Sequence, residues 1–112
     1  MSTRLLGAKY RQVFDRGRPI KGRLVVAWCL SQQDADRMAG VVVSKKTFHE
    51  AVDRNRAKRL MREAFRLLVK ESAAPEGYVW VFIARRAILG CKCADVMKEM
   101  RWVFSRKLPQ AH

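Results

Sequence analysis

Asp53–Lys70, DRNRAKRLMREAFRLLVK, holds seven Lys or Arg against only Asp53 and Glu63, on an unbroken helical period. Wound at the α-helical repeat, Ala57, Leu60, Met61, Ala64, Leu67 and Leu68 gather on one arc, with Phe65 at its edge. That arc is expected to face a core. The opposite arc carries Asn55, Lys58, Arg59, Arg62, Arg66 and Lys70, with Asn55 in the midst of the cations. A merely solvated helix face mixes signs and gains from Glu–Lys pairs one turn apart. Like charges at this density repel unless a polyanion neutralises them. Guanidinium groups, the commoner cation here, present a planar fork of donors that suits phosphate oxygens. RNA or DNA is therefore the first partner to expect. A membrane surface fits less well, because the apolar arc contains alanine and lacks tryptophan.

Outward from this helix, the whole chain has the same bias. Its 112 residues suit one domain with a real core, and 49% hydrophobic residues exclude disorder throughout. A net charge of +14 implies salt-sensitive attraction to nucleic acid. Cys29, Cys91 and Cys93 have no framework spacing, and the start shows no cationic-then-apolar leader, so a reducing cytoplasm is the expected location. No apolar run approaches a membrane span.

Upstream, residues 1–6 are expected to fray. A short helix is predicted from Ala8 to Arg16, with Tyr10, Val13 and Phe14 on one side and Gly17 ending it. These rings admit two readings. They pack into the core, or, interleaved with Arg11, Arg16 and Arg18, they stack on unpaired bases. Arg18–Arg23 reads as a connection with a short edge strand. Leu24–Leu30 is a continuous apolar run and is expected to be a buried strand, with Cys29 as ordinary core. Asp34 and Asp36 mark a turn rather than a metal site. Gly40–Ser44 is the next predicted strand and delivers Lys45 and Lys46 at its end.

Downstream, Pro75 and Gly77 stop the basic helix, and Tyr78–Ala84 is a third buried strand followed at once by Arg85 and Arg86. Two strands thus end in paired cations, and those ends are expected to share one edge of a sheet with the helix start. A last helix from Ala94 puts Val96, Met97, Met100, Val103, Phe104 and Leu108 on one face and Trp102 on the other. Cys91 and Cys93 are too few ligands for structural zinc, and 109–112 is tail. The order describes an α+β sheet layered with helices.

The run GVVVSKKTFHEAVDRNRAKRLMREAFR, Gly40–Arg66, resembles the signature of the bacterial ribonuclease P protein subunit family. YRQVFDRG at Tyr10–Gly17 is similar to that family's F-x-x-V-F-x-x-G segment, and FIARRAI at Phe82–Ile88 to its strand ending in I-A-R/K-K/R. The resemblance implies a two-layer α–β sandwich with a central four-stranded sheet and a left-handed βαβ crossover through the arginine-rich helix, where topology rules alone favour the right-handed form. It also implies a protein cofactor of a catalytic RNA, which with Mg2+ removes the 5′ leader of precursor tRNA, the protein itself holding no cofactor or metal and acting on no small-molecule substrate. By position, the family's R-N-R element falls on Arg54, Asn55 and Arg56, with Lys58, Arg59, Arg62 and Arg66 continuing the surface towards the catalytic RNA. Its cleft for the single-stranded leader falls on Tyr10 and Phe14, with Arg11, Lys45 and Lys46 near the phosphates. Tyr10 stands where Phe is frequent, and Thr47–Val52 lacks a glycine that many members carry.

Two other functions compete with this one. A protein nuclease needs a converging acid–base pair, and His49 with His112 is a poor supply. A structural RNA-binding protein of ribosomal type would use the same charge and fold.

Overall fold

Alternating strand patterns and amphipathic helices must bury complementary faces, and here they do so around one sheet. The computed structural model describes residues 7–33, 37–106 and 108. Its elements are α1 (Gly7–Arg16), β1 (Arg18–Lys21), β2 (Val25–Ser31), β3 (Met38–Val42), α2 (Ala51–Lys70), β4 (Tyr78–Ala84) and α3 (Cys93–Phe104), with a 3₁₀ turn at Arg86–Gly90. The expected fraying of 1–6 and 109–112, and the turn at Asp34 and Asp36, lie outside the described residues.

The four strands run in the order β1-β2-β4-β3, antiparallel except for the parallel pair β3–β4. A parallel pair cannot be joined by a tight turn, so α2 makes the crossover between them. This is the expected α+β class with a central four-stranded sheet. β3 begins and ends two residues earlier than the valine run suggested, because its pairing with β4 runs from Met38 opposite Val79 to Val42 opposite Ile83.

Strand alternation sends side chains to two unequal faces. On one face, Val25, Ala27, Cys29, Trp80 and Phe82 pack with Ala57, Met61, Ala64, Phe65 and Leu68 of α2 and Val96, Met100 and Val103 of α3. Trp80 stacks with its plane 2° from that of Phe82, and Phe104 meets it edge-on at 5.0 Å. Phe65 is fully part of this core rather than at its margin, while Leu60 and Leu67 are only half-buried. Among the described residues, α1 is the one helix on the other face. Val13 with Val79 and Val81 forms a small buried centre, ringed by half-buried Tyr10, Phe14, Trp28, Leu30, Met38, Val42 and Ile83. β2 is therefore not the uniformly buried strand that its apolar run predicted. Its residues alternate between a sealed face and an open one.

The ends of the elements are fixed by local chemistry. α2 stops at Ser72, whose left-handed φ of 58° lets the Ala73 amide donate to the Leu68 carbonyl across the last turn. At the β1–β2 turn the Glu99 carboxylate of α3 accepts from the amides of Arg23, Leu24 and Val25, each at 2.8 Å. Any side chain at Gly22 would intrude on that carboxylate, since a Cβ there would lie 2.6 Å from it.

Candidate nucleic-acid interface

The parallel register of β3 and β4 brings two cationic segments to one end of the sheet. Lys45 and Lys46 follow β3, Arg85 and Arg86 follow β4, and α2 starts beside them, as the sequence pattern suggested. The loop between β3 and α2 is held without a glycine. The Ser44 Oγ accepts from the Thr47 amide and donates to the Thr47 hydroxyl, the Phe48 amide bonds to the Ser44 carbonyl, and the Phe48 ring is buried. Arg54 Nη1 donates to the carbonyls of Phe48 and His49 at 2.9 Å, and Arg86 Nη1 to that of Thr47 at 3.3 Å. These two arginines order the loop that presents exposed Lys45 and Lys46.

On α2 the helical repeat separates Arg54, Asn55 and Arg56. Arg54 turns to the loop, and Arg56 lies towards the 3₁₀ turn, 3.4 Å from the Cys91 carbonyl. Asn55 turns the other way and joins Lys58, Arg59 and Arg62 along a groove of 480 Å³ floored by Ala39 and Val41 of β3. None of these four side chains makes a hydrogen bond or ion pair with another described residue. Arg66 closes the far end differently, forked onto Glu63 through Nε at 3.1 Å and Nη2 at 2.5 Å. That fork holds the Glu63 carboxyl below the usual carboxylate range. Unspent donors on a concave surface are suited to phosphate oxygens.

The second candidate surface is the open sheet face. Tyr10 lies flat on the Gly40 backbone, where a Cβ would stand 2.5 Å from its ring. Phe14 meets Trp28 edge-on, with ring centroids 5.4 Å apart. Tyr10 and Phe14 are both half-buried and pack against the small Val13 cluster, so neither is sealed into the core and neither is fully exposed. Trp28 belongs to this platform and was missed in sequence, because a tryptophan inside an apolar run reads as core. The alternation of β2 was the available signal. Arg11 is exposed on α1.

Other chemistry is sparse. Among the described residues no three His, Cys, Asp or Glu side chains come together to hold a metal ion. His49 is exposed. Burial pushes the Cys29 thiol up to about 12. No described helix is long and apolar enough to cross a membrane.

Comparison with known proteins agrees with this geometry. The Staphylococcus aureus RNase P protein superposes with a TM-score of 0.73 at 25% identity, covering 92% of this chain and 93% of that one. The Thermotoga maritima RNase P protein shares the fold at a TM-score of 0.79 and 22% identity, over 95% and 98% of the two chains. The ribonuclease P protein component of Pelotomaculum thermopropionicum is 38% identical over 97 residues, 87% of this chain and 84% of that protein. That of Exiguobacterium sp. is 38% identical over 98 residues, 88% and 82%. With residues 3–108 matching the Ribonuclease P family, this chain belongs to the ribonuclease P protein component family, the RNA-partnered protein of a tRNA-processing ribonucleoprotein.

Proposed function

We propose that this chain is one ribonuclease P protein domain serving as the protein cofactor of a ribozyme, holding catalytic RNA on α2 and the single-stranded 5′ leader of precursor tRNA on the open sheet face. The observation that carries this reading is the α2 groove, where Asn55, Lys58, Arg59 and Arg62 converge with no protein partner. Donors left unspent at this density imply that phosphates complete them. Arg66 closes the far end of the groove, Arg56 extends the cationic surface towards the 3₁₀ turn, and Arg54 contributes by ordering the loop.

Leader recognition rests on chemistry suited to unpaired RNA, which is bound by stacking and backbone charge. Tyr10, Phe14 and Trp28 offer ring surface, and Lys45, Lys46 and Arg11 offer charge without acceptors that would read one sequence. Hydrolysis, and the Mg2+ it uses, belong in this reading to the RNA. The protein raises the affinity for a substrate that still carries its leader. The reaction belongs in the cytoplasm, where precursor tRNA is made.

The test is single-turnover cleavage of 5′-labelled precursor tRNA at low magnesium, comparing protein alone, catalytic RNA alone, and both. Cleavage only with both is the expected result. Cleavage by protein alone would send attention to His49, and no effect of the protein in any mixture would leave a structural RNA-binding role of ribosomal type.

A further inference from the structure

A second groove lies apart from both the α2 groove and the aromatic face of the sheet. This groove of 850 Å³ lies between α3, the β1–β2 turn and the end of β4, and Trp102 lines it while remaining 44% exposed. Lys21, Arg23, Arg85 and Lys98 line the same groove, and none of their side chains bonds to another described residue. Both acids in the groove are committed to backbone. Glu99 accepts the three amides of the β1–β2 turn, and Asp95 accepts the Lys92 amide at the start of α3. Arg106 sits over the Trp102 ring at 5.2 Å from its centroid.

An exposed indole in a groove with unspent cations, whose two acids are held by backbone amide donors, is suited to a base with flanking phosphates. A protein partner would be expected to meet fewer unpaired charges. We propose that this groove holds an unpaired nucleotide of the catalytic RNA, stacked on Trp102 with its phosphates on Arg85, Lys21 and Lys98. The catalytic RNA is favoured over the substrate because α3 packs on α2 and on the same sheet face, whereas the aromatic platform lies on the other face. The Asn55 groove and the Trp102 groove border β3 and β1 respectively, the two opposite edges of the sheet. An RNA bound to both would straddle the α2–α3 layer. This deepens the proposed function and rests on α2 being the catalytic-RNA surface.

The test is equilibrium binding of the full chain to its catalytic RNA across a salt series. Trp102→Ala is expected to weaken binding about fivefold to tenfold, the low end for stacking one base, and Trp102→Phe to stay within about twofold. Arg85→Ala combined with Lys21→Ala is expected to make the salt slope shallower by about one and a half. Discrimination between precursor and mature tRNA by the assembled ribonucleoprotein should not change in any of these. Wild-type affinity in Trp102→Ala together with an unchanged salt slope in the double variant would overturn the proposal. Lost discrimination with intact catalytic-RNA binding would also overturn it, by giving the groove to the substrate. Arg62→Ala in the same assay tests the α2 surface separately: if it alone binds normally while Trp102→Ala does not, the α2 reading fails and the groove stands.

Discussion

The two faces of the sheet differ in how many helices cover them, and that difference separates core aromatics from available ones. Trp80 and Trp28 come from neighbouring antiparallel strands, Trp80 opposite Cys29 and Trp28 opposite Val81. Trp80 points under α2 and α3 and is fully buried; Trp28 points towards α1, a single ten-residue helix, and is half-buried. The same residue type in the same kind of strand is sealed core on one side and half-accessible ring surface on the other. Among the described residues one short helix leaves apolar area on this face only half-covered, and such a patch beside cations is suited to binding.

Substitutions can break this contrast. Trp80→Ala should have the largest effect, about 3–5 kcal/mol of lost stability in denaturant unfolding, because the cavity would open among packed rings. Trp28→Ala should cost less stability, about 1–2 kcal/mol, since the ring is only partly buried. Its main effect, like that of Phe14→Ala, should be weaker binding of precursor relative to mature tRNA by about 1–3 kcal/mol. Equal loss for both tRNAs would remove the platform from leader recognition.

Gly40→Ala sharpens the comparison without touching a ring. The added methyl would displace Tyr10, so a stability loss of about 1–2 kcal/mol should come with reduced precursor preference while catalytic-RNA affinity is kept. Arg59→Ala and Arg62→Ala should do the reverse, each weakening catalytic-RNA binding by about 1 kcal/mol and reducing its salt slope by about 0.7–0.9. Cys29 gives the smallest effect and reports on the sealed face alone. Its thiol is raised from 9.0 to about 12 by burial, so the unfolded chain loses this proton first. Native stability should therefore be complete below about pH 9 and fall as pH rises towards 12, a decline that Cys29→Ala should reduce.

Much of this was legible in the residues. The period of Asp53–Lys70 defined α2, its buried arc and its cationic arc, since both properties repeat within one element. Tyr78–Ala84 matched β4 residue for residue. Asn55, Arg59 and Arg62 were grouped before any fold existed, because residues three and four apart share a helix face. The neighbours of that arc were less visible. Arg54 is drawn into the loop by the carbonyls of Phe48 and His49, and Arg66 is held by Glu63, so cations alike in sequence differ in what they have left to offer.

Local periodicity thus reached the helices, the approximate strands and the cationic face, because each depends on residues close along the chain. The roles of Tyr10, Phe14, Trp28 and Trp102 depended on what lies across from them. Whether α1 covers the sheet completely, whether Gly40 seats a ring, and whether Glu99 reaches the β1–β2 turn are outcomes of long-range packing. An aromatic side chain is core or platform according to the area its neighbours leave uncovered, and those neighbours come from distant parts of the chain.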